Sequence, residues 1–203
     1  MRTLWLKKSL LQFFITSALL LSLSAYGWFL GDLLKNGYDL SLQFLFQNPA
    51  DAGRTGGIFS ILSSTLILIG LSLLFVIPFG LGTALYLHTH PTPTIITSLN
   101  LLAATPSIIF GLFGNAFFVY QLHMGYSLLA GALTLTIMVL PLFVHTSLEA
   151  LKNVPSSYVE AGVSCGLSPF SVLTQVTLRC ATPGILMALA LSLGRALSET
   201  AAL

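Results

Sequence analysis

Arg195 and Glu199 stand four residues apart inside the apolar run Pro183 to Leu203. In a helix that spacing puts both on one face, with Ser192, Ser198 and Ala202 beside them at intervals of three and four. At the centre of a membrane helix each charge costs roughly 2.5–3.5 kcal/mol, whereas each Leu or Ile returns about 0.3–0.6 kcal/mol. The seven Leu and Ile residues of the run do not offset two charges. The charged face must therefore look at protein, water or a ligand rather than lipid. Two uses fit. A guanidinium offers planar donors to a pair of oxygens on an anion such as phosphate. Alternatively, the pair is an ion pair that locks helices or subunits together. Glu199 repels an anion unless it is protonated, or unless it neutralises Arg195 in the empty state and releases it when the anion arrives.

Other chemistries find little support in the 203 residues. Cys165 and Cys180 are fifteen apart with no CxxC spacing, so neither a redox motif nor a metal site is expected. His88 and His90 flank prolines at a span boundary, and His123 and His145 sit at span ends. No metal and no cofactor is expected. No GxxxxGK[ST] sequence occurs, so any ATP chemistry belongs to another chain. An intramembrane enzyme is disfavoured because no nucleophile–base set accompanies Arg195 and Glu199.

The elements that must position the pair are membrane helices. The chain is 55% hydrophobic and 7% charged, and it holds no Asp, Glu, Lys or Arg between Arg54 and Glu149. This is the composition of an all-α polytopic transmembrane bundle. A net charge of +2 is too small and too dispersed to suggest nucleic acid as a partner. Arg2, Lys7 and Lys8 precede a first span, Ser9 to Leu30. It is long enough to cross and is read as retained, with its N-terminus on the cytoplasmic side. A polar outer loop, Gly31 to Gly57, carries Asn48-Pro49 and Gly56-Gly57 turn signals. Further spans are expected at about Ile58–Leu87, Ile95–Tyr120, Ser127–Thr146 and Pro183–Leu203. Thr105-Pro106 bends the third, and Thr105 and Ser107 are candidates to line a pathway there. The organisation expected is an N-terminal helix and outer loop (1–57) followed by the main transmembrane domain (58–203). On a helix beginning at Pro183, Arg195 lies about 18 Å deep, near the middle of a core about 30 Å thick.

Segment 147–182 is too polar to span and reads as two short helices. The first is expected to open at Pro155. Ser168-Pro169 caps the second, and Cys165-Gly166-Leu167 is the joint. Tyr158, Val159, Val163, Leu167, Phe170, Leu173 and Val176 give this segment more apolar surface than a solvated linker carries, so it is expected to be covered.

The stretch EAGVSCGLSPFSVLTQVTL resembles the EAA loop of ABC-importer permeases. LEALKNVP, TPGI, GRALSETAAL, PSIIFGLFG and GGIF extend the similarity, over about Thr55 to Leu203, to the permeases of bacterial phosphate importers. The resemblance implies a MetI-like permease fold of about five spans here. It makes Glu160, Ala161, Gly162 and Gly166 the part that docks on an ATPase. It places Arg195 and Glu199 on the substrate path, with Ser198, Thr200, Thr105 and Ser107 as further candidates. It also implies a transport subunit that is not itself an enzyme, in the cytoplasmic membrane. The implied partners are a second permease, an ATPase pair, an extracytoplasmic phosphate-binding protein and membrane lipid. Alternatives are a permease for another anion, such as sulfate or phosphonate, or a truncated, non-transporting product, because the family has a further span after the fifth. The chain departs from the family pattern at Gly162 (usually Ala), Arg179 (usually Pro), His145 (often Arg) and Ser198 (often Gly).

Overall fold

The computed structural model describes residues 2–37, 42–50 and 55–199, and it divides into Met1–Ser60 and Ile61–Leu203. The first unit begins with α1, Arg2–Asn36, of which Leu10–Lys35 is long and apolar enough to cross a membrane. Hydroxyls inside that apolar stretch are satisfied locally. Thr16 Oγ1 donates to the Gln12 carbonyl, and Ser17, Ser22 and Ser24 donate to carbonyls three residues back. Such back-bonding lets a small polar residue sit in lipid without an orphaned donor. A short helix α2, Leu42–Phe46, precedes an antiparallel pair, β1 (Pro49–Ala50) and β2 (Thr55–Gly56), within the expected outer loop. Gly56 has φ +86 and packs so closely on the Asn48 carbonyl that no side chain fits. The turn signal there has a steric cause.

The second unit is built around α6, Leu128–Lys152, the most buried of the long helices. Ser127 caps it, accepting a hydrogen bond from the Ala130 N–H at 3.3 Å. Against it runs α3, Phe59–Thr89, in the same direction: Thr136 Oγ1 donates to the Ser72 carbonyl at 3.3 Å, Gly80 lies on the Phe143 ring, and Leu87 clusters with Leu148 and Leu151. The helix α8, Pro169–Leu197, runs the opposite way: Gly184 lies against Ala150, while Ala196 clusters with Met138 and Val139.

Between α3 and α6 lie α4, Pro93–Ala104, and α5, Ser107–Gln121, whose last seven residues form a π-helix. The single bent third span expected from the sequence is instead two helices whose axes turn by 99°. Proline forces the residue before it out of the helical region, and Thr105 is extended at φ −74, ψ 130. Its hydroxyl returns to the Leu101 carbonyl at 2.8 Å, closing off the end of α4. Because α3 and α6 are parallel, this pair must carry the chain back across the layer. Among the described residues four helices are long and apolar enough to cross alone, five with the bent pair taken as one span.

The start of the last span is also corrected. Pro183 does not open a helix; it lies inside α8, which begins at Pro169. Ser168 caps that start, accepting from the Ser171 N–H at 3.2 Å. Pro183 removes one internal hydrogen bond, yet packing on α7 before it and on α6 beyond it holds the rod continuous.

Candidate functional site

The register of α8 on α6 fixes the depth of the charged pair. Gly184 meets Ala150, with an added Cβ only 2.5 Å from the Ala150 side chain, so the two backbones touch there. Eleven residues further along α8 is Arg195, and eleven residues back along α6 is Val139, the twelfth of its 25 residues. Both paths cover about 16 Å at 1.5 Å per residue. Arg195 therefore sits at mid-height of the central helix although it lies in the last turn of its own. By the same register Lys152 faces Thr182, so Pro169–Thr182 projects beyond the end of α6, consistent with the polar, non-spanning reading of that stretch.

At that level the guanidinium and the Glu199 carboxylate are 4.0 Å apart, the arginine side chain 51% exposed and the glutamate 6%. This is charge contact beyond hydrogen-bonding distance, which leaves the donors of Arg195 uncommitted to Glu199. The helix expected to run on from Pro183 is interrupted at Ser198 and Glu199. Among the described residues it ends at Leu197, with Ser198 as its cap, the Ser198 hydroxyl donating to the Gly194 carbonyl at 2.8 Å. Glu199 has thus left the helix and folds its carboxylate inward. The shared polar stripe also fails in part. Ser192 is fully buried on the Ala188–Ala196 face, whereas Arg195 and Ser198 are on the exposed side with Met187 and Leu191. Thr200 and Ala202 lie outside the described residues. Thr105 and Ser107 are half-buried at the α4–α5 break, and among the described residues neither bonds to Arg195.

The second cluster is α7, Ser156–Ser164. Pro155 is its cap residue rather than its first helical residue, one position earlier in role than expected. Its C-terminus explains the spacing of the motif. Gly166 is left-handed at φ +78; its N–H donates to the Val163 carbonyl at 2.9 Å, and the Leu167 N–H donates to the Gly162 carbonyl at 3.2 Å. These two bonds are a Schellman closure, which glycine at this position adopts without Cβ strain. Gly162 is buried against Val172 and Val176 of α8, while Glu160 and Ala161 are exposed. Of the apolar residues noted in the sequence, Val159, Leu167, Leu173 and Val176 are partly buried. Tyr158, Val163 and Phe170 remain 54%, 59% and 74% exposed, a surface that projects past α6.

Several features were not read from the sequence. The hydroxyls of Ser72, Ser147 and Ser192 and Nε2 of His145 are buried without hydrogen-bond partners among the described residues. Small hydroxyls at helical spacing in apolar runs were the available signal. Gly80 and Gly184 mark close helix contacts. A cavity beside Asn115 was also not foreseen.

Residues 76–203 match the family described as "Binding-protein-dependent transport system inner membrane component". The chain is 31% identical over 195 residues to a probable ABC transporter permease protein, YqgI, of Bacillus subtilis, covering 93% of this chain and 64% of that protein. It is 32% identical over 182 residues to the phosphate transport system permease protein PstA of Pasteurella multocida, covering 87% and 65%. It is 34% identical over 174 residues to PstA of Xylella fastidiosa Temecula1, covering 82% and 59%. The chain thus spans less than two thirds of the length of these relatives. An all-α membrane bundle with a mid-depth arginine, a projecting helix closed by Gly166 and this match over most of its length all agree: the chain belongs to the binding-protein-dependent transport system inner membrane components, the permeases of ABC importers.

Proposed function

We propose that the chain is a permease subunit that passes inorganic phosphate across the cytoplasmic membrane, with Arg195 on the substrate path. The observation that carries this is the half-exposed guanidinium at mid-height of α6, its donors not bound to Glu199. Transporters place substrate near the midplane, and a planar cation suits a tetrahedral oxyanion. Two of the relatives above are named as phosphate permeases, which supports phosphate over other anions.

In this reading Glu199 neutralises Arg195 when the path is empty and yields it to arriving anion. Ser198, at the helix end on the same exposed side, adds a hydroxyl; Thr200 belongs to the same path. Thr105 and Ser107 line the path at the α4–α5 break. Glu160, Ala161, Gly162 and Gly166 form the element that seats on an ATPase subunit, with Tyr158, Val163 and Phe170 as its apolar contact. Because α7 packs on the early part of α8, movement of the docked helix reaches Arg195 along one continuous rod. The chain works with a second permease, an ATPase pair and an extracytoplasmic phosphate-binding protein. Its N-terminus lies on the ATPase side, the orientation that Arg2, Lys7 and Lys8 favour.

The test is ATP hydrolysis by the reconstituted assembly, presented in turn with binding proteins loaded with phosphate, sulfate or a phosphonate. Stimulation by the phosphate-loaded protein is expected. Stimulation by the sulfate- or phosphonate-loaded protein alone overturns the assignment of phosphate.

A further inference from the structure

Gly184 follows Pro183 on α8, at the point where the backbone of that helix touches α6. A Cβ added to Gly184 would meet the Ala150 Cβ at 2.5 Å and the Ala150 Cα at 3.4 Å. The Ala150 Cβ is fixed to its own backbone and has no rotamer by which to move aside. Carbon atoms rest about 3.5–4.0 Å apart, so a methyl at Gly184 parts the two helices by about 1–1.5 Å.

The groups further along α8 hold its place on α6 less firmly. The fully buried seam there is Ala188, Ser192 and Ala196, each at most 4% exposed. Ile185, Leu189 and Leu193 pack only partly buried at its edge, where side chains yield by changing rotamer and a backbone contact does not. Polar groups add no tie to α6. Thr182 and Ser198 return their hydroxyls to the Leu178 and Gly194 carbonyls of their own helix, and the Ser192 hydroxyl has no partner among the described residues. Arg195 contacts Glu199, four residues on in the same segment. Pro183 has no N–H to give the Arg179 carbonyl, so the rod is least stiff one residue before the contact. The place of Arg195, eleven residues and about 16 Å further on, is therefore set where Gly184 meets Ala150.

We infer that Gly184 is a positioning residue for Arg195. Its lack of a side chain sets the spacing of α8 on α6, and through it the place at which the guanidinium meets the anion. Gly184 itself touches no substrate. The inference rests on the reading that Arg195 lies on the substrate path.

The experiment measures phosphate uptake by the reconstituted assembly, with binding-protein-independent ATP hydrolysis alongside as a check on assembly. The variants are Gly184→Ala, Gly184→Ala/Ala150→Gly, Arg195→Lys and Gly184→Ala/Arg195→Lys. A misplacement of about 1 Å costs up to about 100-fold where geometry is critical, so uptake in Gly184→Ala is expected to fall about fivefold or more while hydrolysis persists. Ala150→Gly removes the opposing methyl and leaves only the 3.4 Å backbone contact, so adding it restores uptake. Because Gly184 acts through Arg195, Gly184→Ala adds little further loss to Arg195→Lys, whereas a general loss of stability multiplies the two effects. If Gly184→Ala does not fold, Ala150→Val, which presses on Gly184 from α6, takes its place alone and with Arg195→Lys. If Arg195→Lys leaves no uptake to lose, restoration by Ala150→Gly decides. With Arg195→Lys slow, the inference alone is overturned by unaltered uptake in Gly184→Ala, by no restoration with Ala150→Gly, or by losses that multiply. Unaltered uptake in Arg195→Lys overturns both the inference and the path reading.

Discussion

Replacing Gly162 by alanine strengthens α7, and the structure sets by how much. Gly162 is helical and buried within α7, and its φ is not in the left-handed region. A methyl there meets Val172 Cγ2 and Val176 Cγ2 at 3.4 Å and Leu167 Cδ1 at 3.7 Å, ordinary contact distances on three sides. Relative to glycine, alanine gains about 0.5–1 kcal/mol in a helix interior, and burying one carbon gains up to about 0.8 kcal/mol. Together these are about 1–2 kcal/mol, and at 1.4 kcal/mol per factor of ten the local opening of α7 becomes roughly 5–30 times rarer. Hydrogen exchange of the Cys165, Gly166 and Leu167 amides reads this directly, because each is bonded back into α7. Exchange in the unaltered protein and in Gly162→Ala should differ by that factor, the variant being slower. Unchanged or faster exchange would show that the packing of α7 on α8 described above is wrong.

The opposite sign is expected at Gly166, whose φ of +78 costs a residue with a Cβ about 1–2 kcal/mol; Gly166→Ala should speed exchange of the same amides about 5–30-fold. Ser168→Ala removes the cap of α8 and should cost about 0.5–2 kcal/mol, read as faster exchange at Ser171, whose N–H it binds. Gly114→Ala drives a methyl into Thr134 and should destabilise the bundle by about 1–3 kcal/mol in thermal unfolding, with part of the loss restored in the Gly114→Ala/Thr134→Ala double variant.

What could be read in advance was mostly local. Ser168-Pro169 announced a helix start, Gly166 a helix end and Thr105-Pro106 a break, because each acts through its own backbone and its nearest neighbours. What escaped depended on partners far along the chain. Thr105-Pro106 marks where α4 and α5 part but not the 99° between them, and the parallel pairing of α3 with α6 joins residues 64 positions apart, as in the Thr136–Ser72 bond. Pro183 looked like a start because the cost of proline inside a helix is visible in the sequence, whereas the contacts of α8 on α7 and α6 that offset it are not. The mid-depth position of Arg195 was expected for a reason that does not hold: α8 starts fourteen residues before Pro183, and the depth comes from the Gly184–Ala150 contact. The helical wheel grouped Ser192 with Arg195 and Glu199. It took no account of the end of the helix at Leu197, after which Glu199 no longer follows the wheel.

The direct test of the central claim is phosphate uptake by the reconstituted assembly carrying Arg195→Lys or Glu199→Gln, with binding-protein-independent ATP hydrolysis measured alongside as a check on assembly. Lysine keeps the charge but loses the planar pair of donors, so a role in passing phosphate predicts at least a tenfold fall in uptake for Arg195→Lys while that hydrolysis persists, and altered uptake for Glu199→Gln. Uptake at the unaltered rate in both variants would contradict it and leave the pair a structural ion pair.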